Sequence, residues 1–195
     1  MWWARLLNVI AGLLNGAGAP ASTTSYESIA TVTVGAGGST TISFSSIPST
    51  FKHLQIRCIA KNTYTAASGN DNLTIQFNSD TASNYSRHAL YGTGSSAAAF
   101  GLTNTTFAGA GIEPRSNAAE ANVFGGSIID ILDYADTNKY KTVRSLSGSD
   151  RNGAGDIYLV SGNWRSTSAV TSITMGTDLN PFAQYSSFAL YGIKG

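Results

Sequence analysis

Cysteine, charge and histidine are all scarce in this chain of 195 residues, and each scarcity excludes a class of protein. The single cysteine, Cys58, excludes an internal disulfide framework and any metal site built from several cysteines. Only 12% of the residues are charged, which is about half the usual share for a soluble domain. The net charge of +1 gives no electrostatic reason to expect a nucleic-acid partner.

Catalytic motifs are also missing. The two histidines, His53 and His88, fall in strand-like patterns, and neither has a carboxylate nearby in the sequence to orient it for catalysis. No Gly-x-Ser-x-Gly motif follows a predicted strand. We therefore predict that the protein is not an enzyme and has no catalytic residues, metal ligands or cofactor.

Two groups of acidic residues leave another chemistry open. Asp130, Asp133 and Asp136 form one group, and Asp150 and Asp156 flank a glycine turn. Either group could donate oxygens to Ca²⁺, although neither has the full spacing of an EF-hand. Aspartate also favours turns because it binds its own backbone, and we prefer this interpretation. A pair of acids in the cleft of a glycan hydrolase is the less favoured alternative.

The first 15 residues have a distinct apolar character. Large apolar side chains recur there at three- and four-residue steps, which is the spacing of one face of an amphipathic helix. These candidate anchor or assembly residues are Trp2, Trp3, Leu6, Leu7, Ile10, Leu13 and Leu14. So short a helix is marginal in water, so we expect it to bury itself in a protein groove, by self-association or against its own domain. The segment is shorter than the ~20 residues of a membrane span, and export or membrane association is the alternative.

Residues 16–25 contain small and hydroxyl side chains without apolar periodicity, which is typical of a flexible linker. From residue 26 to residue 195 the chain alternates apolar and polar side chains in short runs separated by turn residues. We predict an all-β body, an antiparallel β-sandwich of jelly-roll type, preceded by the N-terminal helix. Residues 29–34 and 40–44 are expected to form a hairpin around a glycine turn.

Two short segments, residues 84–92 and 184–192, share the pattern Tyr-Ser-x-x-Ala-Leu-Tyr-Gly at an offset of one hundred residues. Similar strands placed equivalently in the two sheets would explain the match, and chance in a biased composition would explain it equally well. Recognition, if any, is predicted at aromatic side chains in loop-like stretches. The candidates are Tyr64, Tyr134 and Trp164 with its neighbour Arg165, and a core position is the alternative for Trp164.

Residues 45–57, 128–148 and 188–194 resemble a family of tailed-bacteriophage virion structural proteins, many of them uncharacterised. The resemblance covers the body from about residue 26 onward and implies a virion component without catalytic residues. We therefore expect a tail-fibre-like protein that residues 1–15 anchor to tail, baseplate or capsid proteins. Its β-sandwich head would bind a host glycan or other receptor, and its helices would form a homotrimer. Alternatives are a capsid decoration (cement) protein and, from another class, an exported carbohydrate-binding domain or hydrolase.

Overall fold

Strands and turns make up the computed structural model within the residues it describes, which are 24–65, 69–114 and 121–195. The strands are β1 (Tyr26–Thr33), β2 (Thr41–Phe44), β3 (His53–Ala60), β4 (Asn70–Phe77), β5 (Tyr85–Gly92), β6 (Ala97–Thr105), β7 (Ala108–Pro114), β8 (Gly125–Leu132), β9 (Lys141–Asp150), β10 (Gly155–Trp164), β11 (Ile173–Thr177) and β12 (Ser187–Ile193). The all-β prediction is confirmed. The predicted helix, and the linker up to residue 23, lie outside the described residues.

The strands form two sheets in which every neighbouring pair is antiparallel. The eight-stranded sheet has the order β1-β12-β3-β8-β9-β10-β5-β6, and the four-stranded sheet has the order β2-β11-β4-β7. Buried side chains from both sheets form one apolar cluster between them, with Leu54 and Ile129 on one side and Ile75 and Met175 on the other. The two sheets therefore pack face to face as a β-sandwich.

Small side chains allow the sheets to approach closely where β7 crosses the eight-stranded sheet. Burial in β9 alternates with a period of two, and beyond Val143 its inward positions are serines. In β7, a Cβ atom added at Gly109 would lie 3.0 Å from Val160 Cγ1, and one at Gly111 would lie 2.6 Å from Ser147 Oγ. Large residues at these positions would force the layers apart.

The hairpin predicted for residues 29–34 and 40–44 is wrong. β1 pairs with β12 in the large sheet, whereas β2 pairs with β11 in the small one. The glycine segment between them crosses from one sheet to the other. Gly38 has a φ of 78°, and a Cβ atom there would lie 2.7 Å from the carbonyl oxygen of Phe182. Ser39 and Phe182 exchange backbone hydrogen bonds, and this fixes the crossing.

The two segments that share a sequence pattern do not occupy equivalent places in two sheets. Both lie in the eight-stranded sheet, β12 next to one edge and β5 next to the other. Their side chains also face opposite ways, because Leu90 is 56% exposed and Leu190 is fully buried. A shift of one residue in a strand exchanges its two faces, so the shared sequence does not produce a shared environment.

A lysine is buried at one end of the sandwich. Lys141 has no exposed surface, and its Nζ donates hydrogen bonds to the carbonyl oxygens of Asp136 at 2.6 Å, Lys139 at 2.7 Å and Thr167 at 3.2 Å. Burial lowers the pKa of its ammonium group. Three carbonyl acceptors satisfy the three N–H donors, so the lysine holds the turn before β9 to the loop after β10.

The eight-stranded sheet extends beyond the four-stranded one. β7 is the edge of the small sheet, and it packs on β8, β9, β10 and β5. Part of β10 and the β5–β6 hairpin project past this edge, and we call this projecting part the overhang. Its inward face carries Tyr91, Phe100 and Tyr158.

The outward face of the eight-stranded sheet carries a row of apolar side chains. Ile128, Leu146, Leu159 and Leu90 are direct cross-strand partners on β8, β9, β10 and β5. Each is between 45% and 56% exposed. A contiguous exposed apolar row of this kind is unusual on a protein surface that contacts only water.

Candidate binding groove

A polar groove lies where the overhang meets the outward face of the four-stranded sheet. It consists of two adjoining hollows of about 320 and 260 Å³ that share Asp178, which follows β11. The side chains that line it and enter the discussion below are Asn72, Thr74, Gln76, Phe107, Tyr158 and Asp178. Alternation along β4 places Asn72, Thr74 and Gln76 on the outward face, while Leu73, Ile75 and Phe77 fill the core.

Amide and carboxylate groups give the groove its hydrogen-bonding capacity. Asn72 Nδ2 donates to Asp178 Oδ2 at 2.6 Å, and Gln76 Nε2 donates to the carbonyl oxygen of Thr106 at 2.8 Å. These bonds orient the two amides and leave their carbonyl oxygens for other partners. Oriented amides and carboxylates beside hydroxyl groups are well suited to binding a polyhydroxylated ligand.

An aromatic wall stands on the overhang side of the groove. The rings of Tyr158 and Tyr91 stack with centroids 4.7 Å apart and planes 9° apart, and Tyr91 contacts Phe100 at 6.3 Å. Burial first, and then Asp156 and Tyr91, raise the pKa of the Tyr158 phenol. The phenol is thus a neutral hydrogen-bonding group at physiological pH, and the stack holds its ring in place.

Arg87 is the most unusual residue beside the groove. It is 7% exposed, and its guanidinium carbon lies 5.6 Å from the centroid of the Phe100 ring and 5.0 Å from that of Phe107. Its Nε has no hydrogen-bond partner among the described residues. Burial lowers the pKa of the guanidinium, and the charge of Asp178 acts in the opposite direction.

The packing of Arg87 between the two sheets depends on a glycine. A Cβ atom at Gly109 would lie 2.9 Å from Arg87 Cδ, so the arginine stem occupies the space that a larger residue would fill. Gly109 pairs with Thr74, which lines the groove together with Phe107. The guanidinium therefore lies where the overhang folds onto the edge of the small sheet.

Two of the predicted recognition aromatics are core residues: for Tyr134 this corrects the prediction of a ring exposed in a loop, and for Trp164 the core alternative holds. Trp164 is 3% exposed and Tyr134 is fully buried. Trp164 stacks on Tyr85 at 6.3 Å, and its Nε1 donates to Asp80 Oδ2 at 2.7 Å. The Tyr134 hydroxyl donates to the carbonyl oxygen of Pro48. Both polar groups are satisfied inside the protein, so neither ring presents a face to a ligand.

The other two predicted recognition residues lie at the surface, and they contact different parts of the chain. Tyr64 is half-buried, and its backbone N–H donates to Asn62 Oδ1 at 3.0 Å. Arg165 is exposed, and it donates to the carbonyl oxygen of Ser83 at 2.6 Å and to Asn104 Oδ1 at 2.7 Å. Neither residue lines the groove described above.

The first acidic group forms ion pairs with basic side chains. Asp130 pairs with Arg144 at 2.8 Å, and Asp133 pairs with Lys139 at 2.6 Å and with Lys52 at 2.8 Å. Hydrogen bonds from Lys139 and then Lys52 lower the pKa of Asp133 to about 2. A general acid of a glycosidase needs a raised pKa, which is the opposite shift.

The second acidic group forms internal contacts at its own turn. Asp150 accepts a hydrogen bond from the backbone N–H of Asn152 at 2.9 Å, which is the turn role expected of it. Asp156 pairs with Arg151 at 3.2 Å. Among the described residues, no group of three or more His, Cys, Asp or Glu side chains is arranged to hold a metal ion.

The predicted anchor residues, from Trp2 to Leu14, lie outside the described residues. Within the part of the chain that is described, no helix has the length and apolar character to cross a membrane. No family model, no curated protein and no solved structure matches this chain.

The sequence interpretation missed every residue of the groove, although one signal was readable. Tyr85, Arg87, Ala89 and Tyr91 alternate along one face of β5, so an arginine falls in the middle of an otherwise apolar face. A charged residue at such a position is unusual, because charged groups are rarely buried without a partner. Asp178 gave no comparable signal, since it follows its strand in an ordinary turn sequence.

Proposed function

We propose that this protein is a non-enzymatic, tail-fibre-like component of a tailed-phage virion. In this proposal residues 1–15 attach it to another virion protein, and the β-sandwich head binds a glycan receptor of the host. Three observations support the proposal. They are the resemblance of residues 45–57, 128–148 and 188–194 to virion structural proteins, the pattern of strand pairing, and the groove.

The observation that carries the proposal is a nested pattern of strand pairs. When β5, β6, β9 and β10 are set aside, the first remaining strand pairs with the last and the second with the second-last. The next two pairs, β3 with β8 and β4 with β7, continue the same pattern inward. This nesting supports a jelly-roll frame, and jelly rolls are the domains of many viral capsid proteins and lectins. The step from fold to virion is an analogy, because a fold alone does not determine function.

The groove supports the receptor-binding part of the proposal. It combines oriented amides, a carboxylate and hydroxyl groups with an aromatic wall, which is the combination that binds sugar rings. The pairing of Asp130 and Asp133 with basic side chains supports a binding role over hydrolysis. Release of reducing sugars, lost on Asp130→Asn or Asp133→Asn, would contradict the non-enzymatic proposal.

The exposed apolar row on β8, β9, β10 and β5 favours one second candidate, a capsid decoration protein. A broad sheet face with apolar side chains in register could lie on an apolar patch of the shell. In that case a Leu146→Lys, Leu159→Lys double variant would leave the head, while it would stay bound in the tail-fibre proposal.

Imaging of purified particles separates these proposals. Particles would be compared when they carry the full chain and when the chain lacks residues 1–15. Density at the tail that disappears on deletion supports the anchored fibre, and density in many copies over the head supports decoration. Absence of the chain from particles would overturn both proposals and favour an exported domain.

Self-association through residues 1–15 is the remaining part of the proposal. We expect a homotrimer whose mass is three times the chain mass of 20.3 kDa. Analytical ultracentrifugation of the full chain measures this directly. A sedimenting mass equal to one chain at working concentration would overturn the trimer without affecting the location of the protein in the particle.

A further inference from the structure

We propose that two copies of this chain pair face to face through the outward face of the eight-stranded sheet. This pairing goes beyond the proposed function and does not rest on it. Its basis is that the face becomes complementary to itself when a second copy is turned about a two-fold axis that runs across the strands. Such an axis brings the same surface of both copies into contact.

The outward face carries a ridge and a furrow side by side. The ridge is the exposed apolar row described above, to which Ile128 on β8 and Leu146 on β9 belong. At the next outward position of the same two strands, Gly126 and Gly148 are direct cross-strand partners and form the floor of the furrow. A Cβ atom added at Gly126 would have no heavy atom within 4 Å, so the furrow is open there.

Exposed isoleucines stand at both ends of this glycine floor. Ile59 on β3 pairs with Gly126 and is 59% exposed, and Ile157 on β10 pairs with Gly148 and is 57% exposed. Beyond Ile157 the same row continues to Gly92 on β5. Apolar side chains and glycines therefore extend over five neighbouring strands of the sheet, from β3 to β5.

The self-complementarity is clearest along β9, one of the two central strands of the sheet. Its outward residues are, in order, Arg144, Leu146, Gly148 and Asp150. A two-fold axis between Leu146 and Gly148 reverses this order in the second copy. Each leucine then faces a glycine, and each arginine faces an aspartate, so the large side chain enters the furrow while opposite charges meet on either side of it.

The same axis gives a matching arrangement on the neighbouring strands. On β8 it places Ile128 over Gly126, and on β5 it places Leu90 over Gly92. β10 has a large apolar side chain in both rows, so two apolar side chains meet there. The contact thus consists of ridges that enter furrows, as in the interior of a β-sandwich.

The charged residues of β9 are accessible for this contact. The Arg144 side chain is 63% exposed, and it already holds Asp130 Oδ2 at 2.8 Å. Its guanidinium has five N–H donors, so it can bind a second carboxylate without losing the first. Asp150 is exposed at the end of β9. A shell protein could cover the apolar row, but a second copy also supplies the furrow and both charges in the reverse order.

The size of the face fits a dimer interface. Five strands spaced by about 4.8 Å, with the outward positions of β9 from residue 144 to residue 150, give a patch of about 20 Å by 20 Å. Because side chains stand up from the sheet, the accessible surface of this patch exceeds its flat footprint and approaches the ~800 Å² per partner of a standard interface.

The test compares the mass of the full chain with that of a variant whose furrow is filled, by analytical ultracentrifugation over a dilution series. Gly126→Leu occupies the place that Ile128 of the second copy needs and should weaken pairing about tenfold or more. Pairing is separate from the association of residues 1–15, so it adds to whichever unit, trimer or single chain, is present in dilute samples. When concentrated, the unaltered chain should have at least twice the mass of the variant.

A matched control adds the same side chain elsewhere. Gly35 is exposed, has nothing within 4 Å of an added Cβ atom and lies between β1 and β2, outside the face. Gly35→Leu should therefore pair as the unaltered chain does. Thermal unfolding of dilute samples should show that both variants fold. If Gly126→Leu has the same mass as the unaltered chain or as Gly35→Leu, the inference is overturned.

A charge exchange tests the register of the two faces. Arg144→Glu and Asp150→Lys should each weaken pairing, because each places like charges opposite one another. A mixture of the two variants should pair more tightly than either variant alone, since both contacts across the interface then join opposite charges. A mixture that pairs no better than its components overturns the inference. Circular dichroism checks the fold, because Arg144→Glu also removes the bond to Asp130.

The outcomes also separate a second copy from the phage shell as the occupant of this face. If the masses show no pairing and the Leu146→Lys, Leu159→Lys double variant leaves the head, the shell covers the face and the inference is overturned. The anchored-fibre proposal and the trimer are not affected by that loss of pairing, because they depend on residues 1–15 and on the groove.

Discussion

Tyr85 and Tyr185 lie in nearly identical local sequences, so substitutions at the two positions test the effect of burial on stability. Both begin the shared Tyr-Ser-x-x-Ala-Leu-Tyr-Gly pattern, yet Tyr85 is fully buried and Tyr185 is 70% exposed. The Tyr85 hydroxyl accepts a hydrogen bond from the backbone N–H of Phe77 at 3.1 Å and donates to the carbonyl oxygen of Asp80 at 3.0 Å. Tyr85→Phe removes these two bonds, together with a longer one from the hydroxyl to the carbonyl oxygen of Phe77 at 3.4 Å, and keeps the ring.

The expected cost follows from these two contacts. An unsatisfied buried N–H costs about 1–3 kcal/mol, and the lost bond to a carbonyl about 1 kcal/mol. We therefore expect Tyr85→Phe to lower the free energy of unfolding by about 2–4 kcal/mol. For a protein of this size that is a fall of about 4–16 °C in Tm. Tyr185→Phe should change the free energy of unfolding by less than about 0.5 kcal/mol, as is usual at exposed sites.

Urea unfolding followed by circular dichroism measures both variants, and thermal unfolding checks them. A high-pH series adds a second criterion. Burial raises the pKa of Tyr85 to about 12, so the folded state favours the neutral phenol. Its contribution to stability is complete below about pH 10 and is lost as the pH rises towards 12. Tyr85→Phe should flatten this slope. Equal stabilities of the two variants would refute the reasoning.

Three further changes test the packing and the ion pairs. Lys141→Met leaves three buried carbonyls without their donor and should lower the free energy of unfolding by about 3 kcal/mol in urea titration; a loss below 1 kcal/mol would contradict this. The pKa of Asp133, about 2, means that its ionised form stabilises the fold above about pH 4 and that this contribution is lost as the pH falls through 2. Asp133→Asn should therefore reduce the dependence of Tm on pH between about pH 4 and pH 2. An unchanged dependence of Tm on pH would show that the ion pairs of Asp133 do not cause it. Gly192→Ala places a Cβ atom 2.3 Å from the Phe51 ring and should cost about 2–3 kcal/mol, whereas Gly126→Ala, with nothing within 4 Å, should be neutral in the same thermal assay.

Alternating strands were predictable from the sequence because their core faces are marked by apolar side chains. Leu73, Ile75 and Phe77 alternate with polar residues, and all three are fully buried in β4. β6 and β7 carry no such pattern in their sequences. Ala97–Thr105 is exposed along almost its whole length, and Ala108–Pro114 begins with alternating alanine and glycine, so neither strand carries β-branched alternation.

The groove was unpredictable because its lining residues come from parts of the chain that are far apart in sequence, chiefly β4, β10 and β11, with Phe107 in the turn between β6 and β7. Without β6 and β7, nothing in the sequence brings Arg87 and Phe107 near Asp178. Trp164 shows how a sequence can suggest a site that is absent from the fold. Its position beside Arg165 at the end of a predicted strand resembles an exposed recognition site. Its partner Asp80 lies 84 positions away, and only the tertiary fold shows that the indole N–H is satisfied in the core.

Because of the overhang, the floor and the wall of the groove differ in how well they tolerate amino-acid substitutions. The floor of the groove belongs to β4, whose other face fills the core, so most substitutions near it affect folding. The wall belongs to the β5–β6 hairpin and to β10, whose backbone hydrogen bonds reach the nested strands only through β9, although β10 and β5 also pack on β7. Loop lengths and side chains on this wall can therefore change while the nested strands keep their packing. Selection for a new ligand could act on the outer part of this hairpin, about residues 90–100, whereas its base must keep its packing because Tyr85 lies in the core.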